Sequence, residues 1–500
     1  MNGSATIDAL IEGLSRPEAY PHPTGEVRVI QTHISLVFLA GEHVYKLKKP
    51  LDLGFLDFST QAARRAACEA EVRLNRRLAD AVYLDVVEVV ERGEGLAVLG
   101  SEEAGAGEPA VHMRRLPEGH TLRERLAADA AGPAEVERVA ARLAEFHRGA
   151  ERSAAIAEFG SFASFAGNAR ENFAQVRANA AGGVGVSVRA SVLDRLERGT
   201  EALLARLEAT IEARAARGVP CDCHGDLRTD HVYLDVDGPG DLKIVDCIEF
   251  NERFRYSDPA LDVAFLVMDL EHAGRADLAR LLAERWSAAL DDPEALELMD
   301  LYVAYRATVR GKVDGFAAGE PELGPEKQAK AAARAEGHFL HALRRVAPPL
   351  ERPALVLVGG LPGSGKSTLA ARLSEELGLR WIRSDAVRKE LKGLDPLAPG
   401  GEELYTPEQT ARTYAECLRR AEEVLREGGR ALVDATFHSA ARRAPFLAAG
   451  QRLGVDLRFL LCEVSPGEAR ARIAGRGADP SDADLSVYER LAASFEESPG

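Results

Sequence analysis

The rhythm of apolar and polar positions changes several times along the 500 residues. "RVIQTHISLVFLAGEHVYKLKKP" reads as two strands around a turn at Gly41-Glu42-His43. "STQAARRAACEAEVRLNRRLAD" switches to helical spacing, with Ser59 placed as its N-cap. "VYLDVVEVVERGEGLAVLG" and "EPAVHMRRLPEGHTL" return to strand patterning, and the second runs into a helix at about Leu122. From there to about Ala347 the pattern is mostly helical. It is interrupted by a loop at "GGVGVS" and by a stretch from Cys221 to Phe250. Three prolines in "RRVAPPLERP" then mark an interdomain linker. Beyond it, "ALVLVGG", "LRWIRSD", "RALVDATF" and "DLRFLLCEV" are short apolar runs separated by helical segments. That order predicts a buried parallel sheet with helices on both faces. The predicted division is residues 1–345, a linker at 346–353, and 354–500.

Composition narrows the class. Hydrophobic residues make up 46% and charged residues 28%, which describes a soluble globular chain. A net charge of −16 argues against a broad nucleic-acid surface. Six cysteines are too few for a disulfide scaffold, and "MNGSATIDALIEGLSRPEAY" has no secretory pattern; a cytoplasmic protein is expected. No apolar run of 18 residues predicts a membrane span. The spacing of Cys221, Cys223 and His224 is not that of a zinc knuckle, which leaves burial in a strand. The oligomeric state is not readable from the sequence.

"GGLPGSGKST" satisfies G-x-x-x-x-G-K-[ST] between a predicted strand and a predicted helix. Gly360, Gly363 and Gly365 let backbone N–H groups turn towards phosphate oxygens, as does Ser364 beside them. Lys366 is expected at the β- and γ-phosphates of ATP, Ser367 on Mg²⁺, and Thr368 in the first turn behind them. Asp385, in "IRSDAVRKEL", lies at the carboxyl end of a strand and is positioned as a base for a substrate hydroxyl. Its bland reading is a helix N-cap. Arg388, one turn on, is a candidate anion holder. Asp434, ending "LVD", suits contact with Mg²⁺ or its water, and Arg470, Arg472 and Arg476 suit a phosphate-neutralising lid. This region, from about Pro353 to Glu497, resembles the small P-loop kinases, a group that includes gluconate kinase-like, zeta-toxin-like and polynucleotide kinase-like enzymes. The resemblance implies that Asp385 is the base.

"HGDLRTDH" resembles the catalytic loop of aminoglycoside phosphotransferases and related kinase-like enzymes, H-G-D-x-x-x-x-N. The match implies Asp226 as catalytic base and Asp246, in "KIVDCIEF", as an Mg²⁺ ligand, with Asp258 and Asp262 starting and bracing a helix. His231 stands where asparagine is expected. Imidazole binds metals, although Mg²⁺ prefers oxygen, and Asn251 or Glu249 is an alternative oxygen donor. Lys46 is chosen for the ATP phosphates, with Lys48 on the same strand face as the rival. Glu71, which shares a helical face with Leu74 and Leu78, is expected to pair with Lys46 and not with Lys48; Glu69 lies off that face. Met113 is placed in a hinge near the adenine.

The combination resembles bacterial proteins described as bifunctional aminoglycoside phosphotransferase/ATP-binding proteins. It implies an α+β protein-kinase-like, two-lobed domain followed by an α/β P-loop NTPase domain with a parallel sheet. The expected function is ATP- and Mg²⁺-dependent transfer of a γ-phosphoryl group to a hydroxyl of a small molecule such as a sugar or amino sugar. Two alternatives stay open. One is a nucleotide-binding regulator whose first half is degenerate. The other is polynucleotide or zeta-toxin-like kinase activity in the second half.

Overall fold

A computed structural model describes residues 7–496 except 55, 94, 100–106, 396, 399–400 and 476–483. The chain forms two compact units, each discontinuous in sequence: Met1–Phe165 with Ala209–Met299, and Ala166–Glu208 with Asp300–Gly500.

The first unit opens with helix α1 (Ile7–Leu14) and strands β1 (Arg28–Gln31), β2 (Ser35–Ala40) and β3 (His43–Lys48). Helix α2 (Gln61–Ala79), β4 (Tyr83–Arg92), β5 (Gly95–Leu99) and β6 (Glu108–Arg114) follow. The strands make one antiparallel sheet in the order β1-β2-β3-β6-β4-β5. Alternation along β3 sends Tyr45 and Leu47 into a core with Leu10 and Leu14 of α1, and turns Val44, Lys46 and Lys48 to the opposite face. On that face α2 packs Cys68, Val72 and Ala79 against Tyr83 and Val111. The cap of α2 is Thr60, whose hydroxyl accepts from the Ala63 N–H; Ser59 was expected there. The Ser59 N–H is held by Asp57 Oδ1, so Ser59 belongs to the preceding turn.

Helices α3 (Leu122–Ala127), α4 (Pro133–Gly149) and α5 (Ala154–Phe159) begin the second lobe. Two helices follow, α6 (Phe162–Ala178) and α7 (Ala190–Ala216), and the division between the units runs through both. Then come β7 (Cys221–Asp222), β8 (Val232–Leu234), β9 (Leu242–Ile244), β10 (Tyr256–Ser257), α8 (Pro259–His272), α9 (Ala276–Leu290) and α10 (Glu294–Glu297). β8 and β9 form an antiparallel hairpin between Asp226 and Asp246, and β7 pairs with β10. All six cysteines are free, and Cys221 and Cys223 are buried.

The second unit holds α11 (Met299–Ala318) and α12 (Pro325–Val346) with the P-loop region. That region runs β11 (Ala354–Gly360), α13 (Lys366–Leu377), β12 (Arg380–Arg383), α14 (Ser384–Glu390) and α15 (Pro407–Arg426). It continues through β13 (Arg430–Asp434), α16 (Ala440–Arg452), β14 (Asp456–Cys462), α17 (Pro466–Ala474) and α18 (Leu485–Ala493). Its four strands are all parallel, in the order β12-β13-β11-β14. Leu355, Leu357, Leu432 and Val433 are fully buried, as strands covered on both faces require. The proline-rich stretch 346–353 lies within this unit. Arg195 of α7 donates to the carbonyls of Gly428 and Glu351, and Arg344 of α12 pairs with Asp456.

Candidate active sites

In the first unit, the loop after β7 carries His224, Gly225 and Asp226. The backbone N–H groups of His224 and Gly225 donate to the two carboxylate oxygens of Asp262 at 3.0 and 2.9 Å. Asp262 sits in the first turn of α8, and Asp258 caps that helix. Gly225 has φ +89°, and an added Cβ would lie 2.9 Å from the Phe254 carbonyl, so this position needs glycine. His224 Nε2 donates to the Val245 carbonyl at 3.0 Å, and Nδ1 accepts from the Asp226 N–H at 3.3 Å. Both nitrogens are used in the neutral ring, and burial pushes its pKa down to about 4.

His231 Nδ1 donates to the Asp226 carbonyl at 2.8 Å. That bond fixes the ring's orientation and places Nε2 3.5 Å from Asp246 Oδ2. One ligand atom each from Asp226, His231 and Asp246 fall within 4.8 Å of one another. Two carboxylates and an imidazole oriented by a backbone carbonyl are a donor set that fits a divalent cation. The alternative donors are engaged elsewhere: Asn251 caps a short 3₁₀ turn, and the Glu249 carboxylate is buried on Lys48.

Lys46 Nζ lies 2.8 Å from Glu71 Oε1 and 2.9 Å from Asp246 Oδ1. Lys46 holds the Asp246 carboxyl well below the usual carboxylate range. Glu71 pairs with Lys46 as expected, but the expectation that it does not pair with Lys48 is overturned. Glu71 uses its second oxygen, Oε2, for Lys48 at 2.5 Å. A two-residue period puts both ammonium groups on one face, and a carboxylate has an oxygen for each. Met113 is paired in register with Val44, which places it on that same face.

In the second unit, Gly360, Gly363 and Gly365 have φ of +142°, +77° and +91°. A Cβ on Gly360 would lie 2.6 Å from the Cys462 carbonyl, and one on Gly363 would lie 2.7 Å from that of Ala469. Lys366, Ser367 and Thr368 form the first turn of α13. Asp434, at the end of β13, is buried. Its pKa is raised by desolvation, against the pull of Lys366 and a hydrogen bond from Ser367. Ser364 Oγ and Asp434 Oδ2 are buried without a hydrogen-bond partner among the described residues. Orphaned polar atoms around a glycine cradle are what a phosphate–cation ligand satisfies, so the residues fit ATP with its ion. Asp385 lies in the first turn of α14, whose N-cap position is Arg383, and its charge acts on Asp434. Arg388 is turned away from an anion-holding role. Its guanidinium donates to the Leu404 carbonyl and Thr410 and stacks on Tyr405. Arg472 reaches the Gly363 carbonyl at 3.4 Å, and Arg470 faces Glu489 at 3.4 Å. Arg476 lies outside the described residues.

Gly363→Ala carries about 1–3 kcal/mol of left-handed strain besides the clash. Nucleotide affinity at this half is expected to fall about tenfold or more, checked by titrating ATP against the folded variant.

Sequence reasoning missed Lys48 as a partner of Glu71 and Glu249. It also missed Asn75 and Tyr83, which accept hydrogen bonds from the Cys247 and Asp246 N–H groups. One signal was present: Asn75 follows Glu71 by four residues on the buried face of α2.

Residues 55–299 match the model of a phosphotransferase enzyme family, and residues 355–498 match that of an AAA domain. An uncharacterized protein of Mycobacterium tuberculosis is 33% identical over 485 residues, spanning 94% of this chain and 91% of that one. The chain belongs to this two-part phosphotransferase/P-loop family. The family is kinase-like in both halves and nucleotide-binding by its P-loop. A cytidylate kinase of Methanopyrus kandleri is 33% identical over 145 residues, 27% of this chain and 69% of that protein. Among solved structures, a choline/ethanolamine kinase family protein from Mesorhizobium loti shares 16% identity. Its TM-score is 0.38, over 68% of this chain and 98% of that one. Among the described residues, no helix is long and apolar enough to cross a membrane.

Proposed function

We propose that each half binds ATP with a divalent cation, Mg²⁺ in the P-loop half, and that the first half phosphorylates a hydroxyl of a small molecule in the cytoplasm. The observation that supports this reading is the cluster of Asp226, His231 and Asp246 beside the Lys46–Glu71 pair. A decayed kinase site tends to lose such charges, because clustered carboxylates with no counter-ion repel one another. ATP and its cation, when bound, supply the phosphoryl group and neutralise its charge.

On this reading each residue of the two sites has a definite part. Asp226 accepts the proton of the acceptor hydroxyl at its carboxylate. Asp246 and His231 Nε2 hold the cation, and the Asp226 carbonyl keeps the imidazole turned to it. Lys46 has three N–H donors; two are engaged by Glu71 and Asp246, and the third is left for a phosphate oxygen. Met113 borders the adenine. In the second half, the loop 360–365 cradles phosphates, and Lys366 and Arg472 neutralise them. Ser367 and Asp434 hold the cation, and Asp385 is the base.

The test is ADP release by the full chain with ATP and a panel of hydroxyl-bearing metabolites. Turnover with a sugar or amino-alcohol is the expected result. ATP binding without turnover across the panel would overturn it in favour of a regulator. Salt-sensitive oligonucleotide binding would point to polynucleotide phosphorylation. His231→Asn is expected to keep transfer within about tenfold and to move the ion preference from Mn²⁺ towards Mg²⁺, because an oxygen replaces nitrogen. The ratio of kcat/KM with the two ions reads this out.

A further inference from the structure

Asp246 is not glycine, yet it holds φ +65°, in the left-handed region. A strained residue persists only where its surroundings over-determine it. Here the surroundings are explicit. The N–H of Asp246 donates to Tyr83 Oη at 3.1 Å, that of Cys247 to Asn75 Oδ1 at 2.8 Å, and that of Ile248 to the His224 carbonyl at 3.1 Å. Asn75 is itself tied to α2 by a 2.9 Å bond from Nδ2 to the Glu71 carbonyl. Glu249, the next residue of the loop, places its carboxylate on Lys48.

Lys48 has no part in holding a nucleotide. Its side chain is 0% exposed, against 17% for Lys46, and its ammonium is enclosed by Glu71 and Glu249. We propose that Lys48 is a positioning residue: through Glu249, and together with Asn75, it locks the loop 246–249 in the one conformation that presents Asp246 to the cation. The loop is then fixed to β3 and α2 rather than switched between states. Removing Lys48 leaves Glu249 buried and unpaired, which drives the loop outwards. The inference rests on the reading of Asp246 as a cation ligand.

Cys247 makes the lock measurable. It lies inside the loop and is 3% exposed, while Cys221 in β7 and Cys417 in α15 are 0% and 1% exposed. Iodoacetamide labelling of the full chain, read residue by residue by mass spectrometry, reports local opening. In Lys48→Met, Cys247 is expected to label about tenfold faster or more, with Cys221 and Cys417 as slow as in the wild type. The double variant Lys48→Met/Glu249→Leu leaves neither partner of that pair unmatched and is expected to fold and to bring Cys247 labelling back towards the wild-type rate. Cys247 as protected in Lys48→Met as in the wild type, or labelling no slower in the double variant than in Lys48→Met, would overturn the lock. So would Cys221 opening in step with Cys247, because the pair would then serve general stability.

Mn²⁺ binding without nucleotide, followed by electron paramagnetic resonance, is expected to weaken about 10- to 100-fold in Lys48→Met. A merely structural role would not move it in a folded variant, and unchanged affinity there would count against the lock. If the wild type and Asp246→Ala bind Mn²⁺ alike, the reading of Asp246 as a ligand fails. The labelling rates still decide whether Lys48 holds the loop, so the two failures are distinct.

Discussion

Asp226→Asn is expected to slow phosphoryl transfer by the first half about 10²- to 10⁴-fold, with ATP binding close to wild type. An amide fills the same space as the carboxylate and cannot take the acceptor proton. The main-chain scaffold survives, because His224 and Gly225 are held by Asp262 and His231 by the Asp226 carbonyl. Single-turnover transfer, measured beside equilibrium ATP binding, separates the lost base from a lost site. Wild-type transfer in this variant would mean that the first half does not carry the reaction. Asp246→Ala should differ, losing cation and nucleotide affinity together with rate.

Lys366→Ala is expected to lower turnover by the second half on the order of 10³-fold. Lys366 opens α13 directly after the glycine loop, and its field is felt at Asp434. Arg472 on the Gly363 carbonyl and Arg383, 3.9 Å from Asp434 Oδ2, are further cations near it. The two variants together form a cross. Two activities that disappear independently assign one reaction to each half. If Asp226→Asn changes nothing while Lys366→Ala removes all phosphorylation, the first half is not an enzyme under those conditions, and His231 marks decay.

Both candidate sites were legible to different depths. The P-loop was readable because its parts are contiguous: strand, glycine turn and helix start occupy one short segment, and local backbone geometry dictates the residue types. The catalytic loop was readable for the same reason. Lys48 was not, because its meaning lies in Glu249, 201 positions away. A strand period shows which face a lysine takes but not how many carboxylates meet it there. Arg388 failed in the opposite sense. Its position suited an anion, and packing gave its guanidinium to Leu404 and Thr410 instead.

The sequence by itself determined the two architectures, the parallel order of apolar runs in the second half, and the residue types at both phosphate sites, because periodicity and short motifs are local properties of the chain. Tertiary structure alone decided the orientation of His231, the sharing of Glu71 between two lysines and the clamp on the loop of Asp246. It also decided that residues 166–208 and 300–346 fall in one compact unit with the P-loop region. These depend on which distant groups exclude water from one another, and no short-range pattern records that.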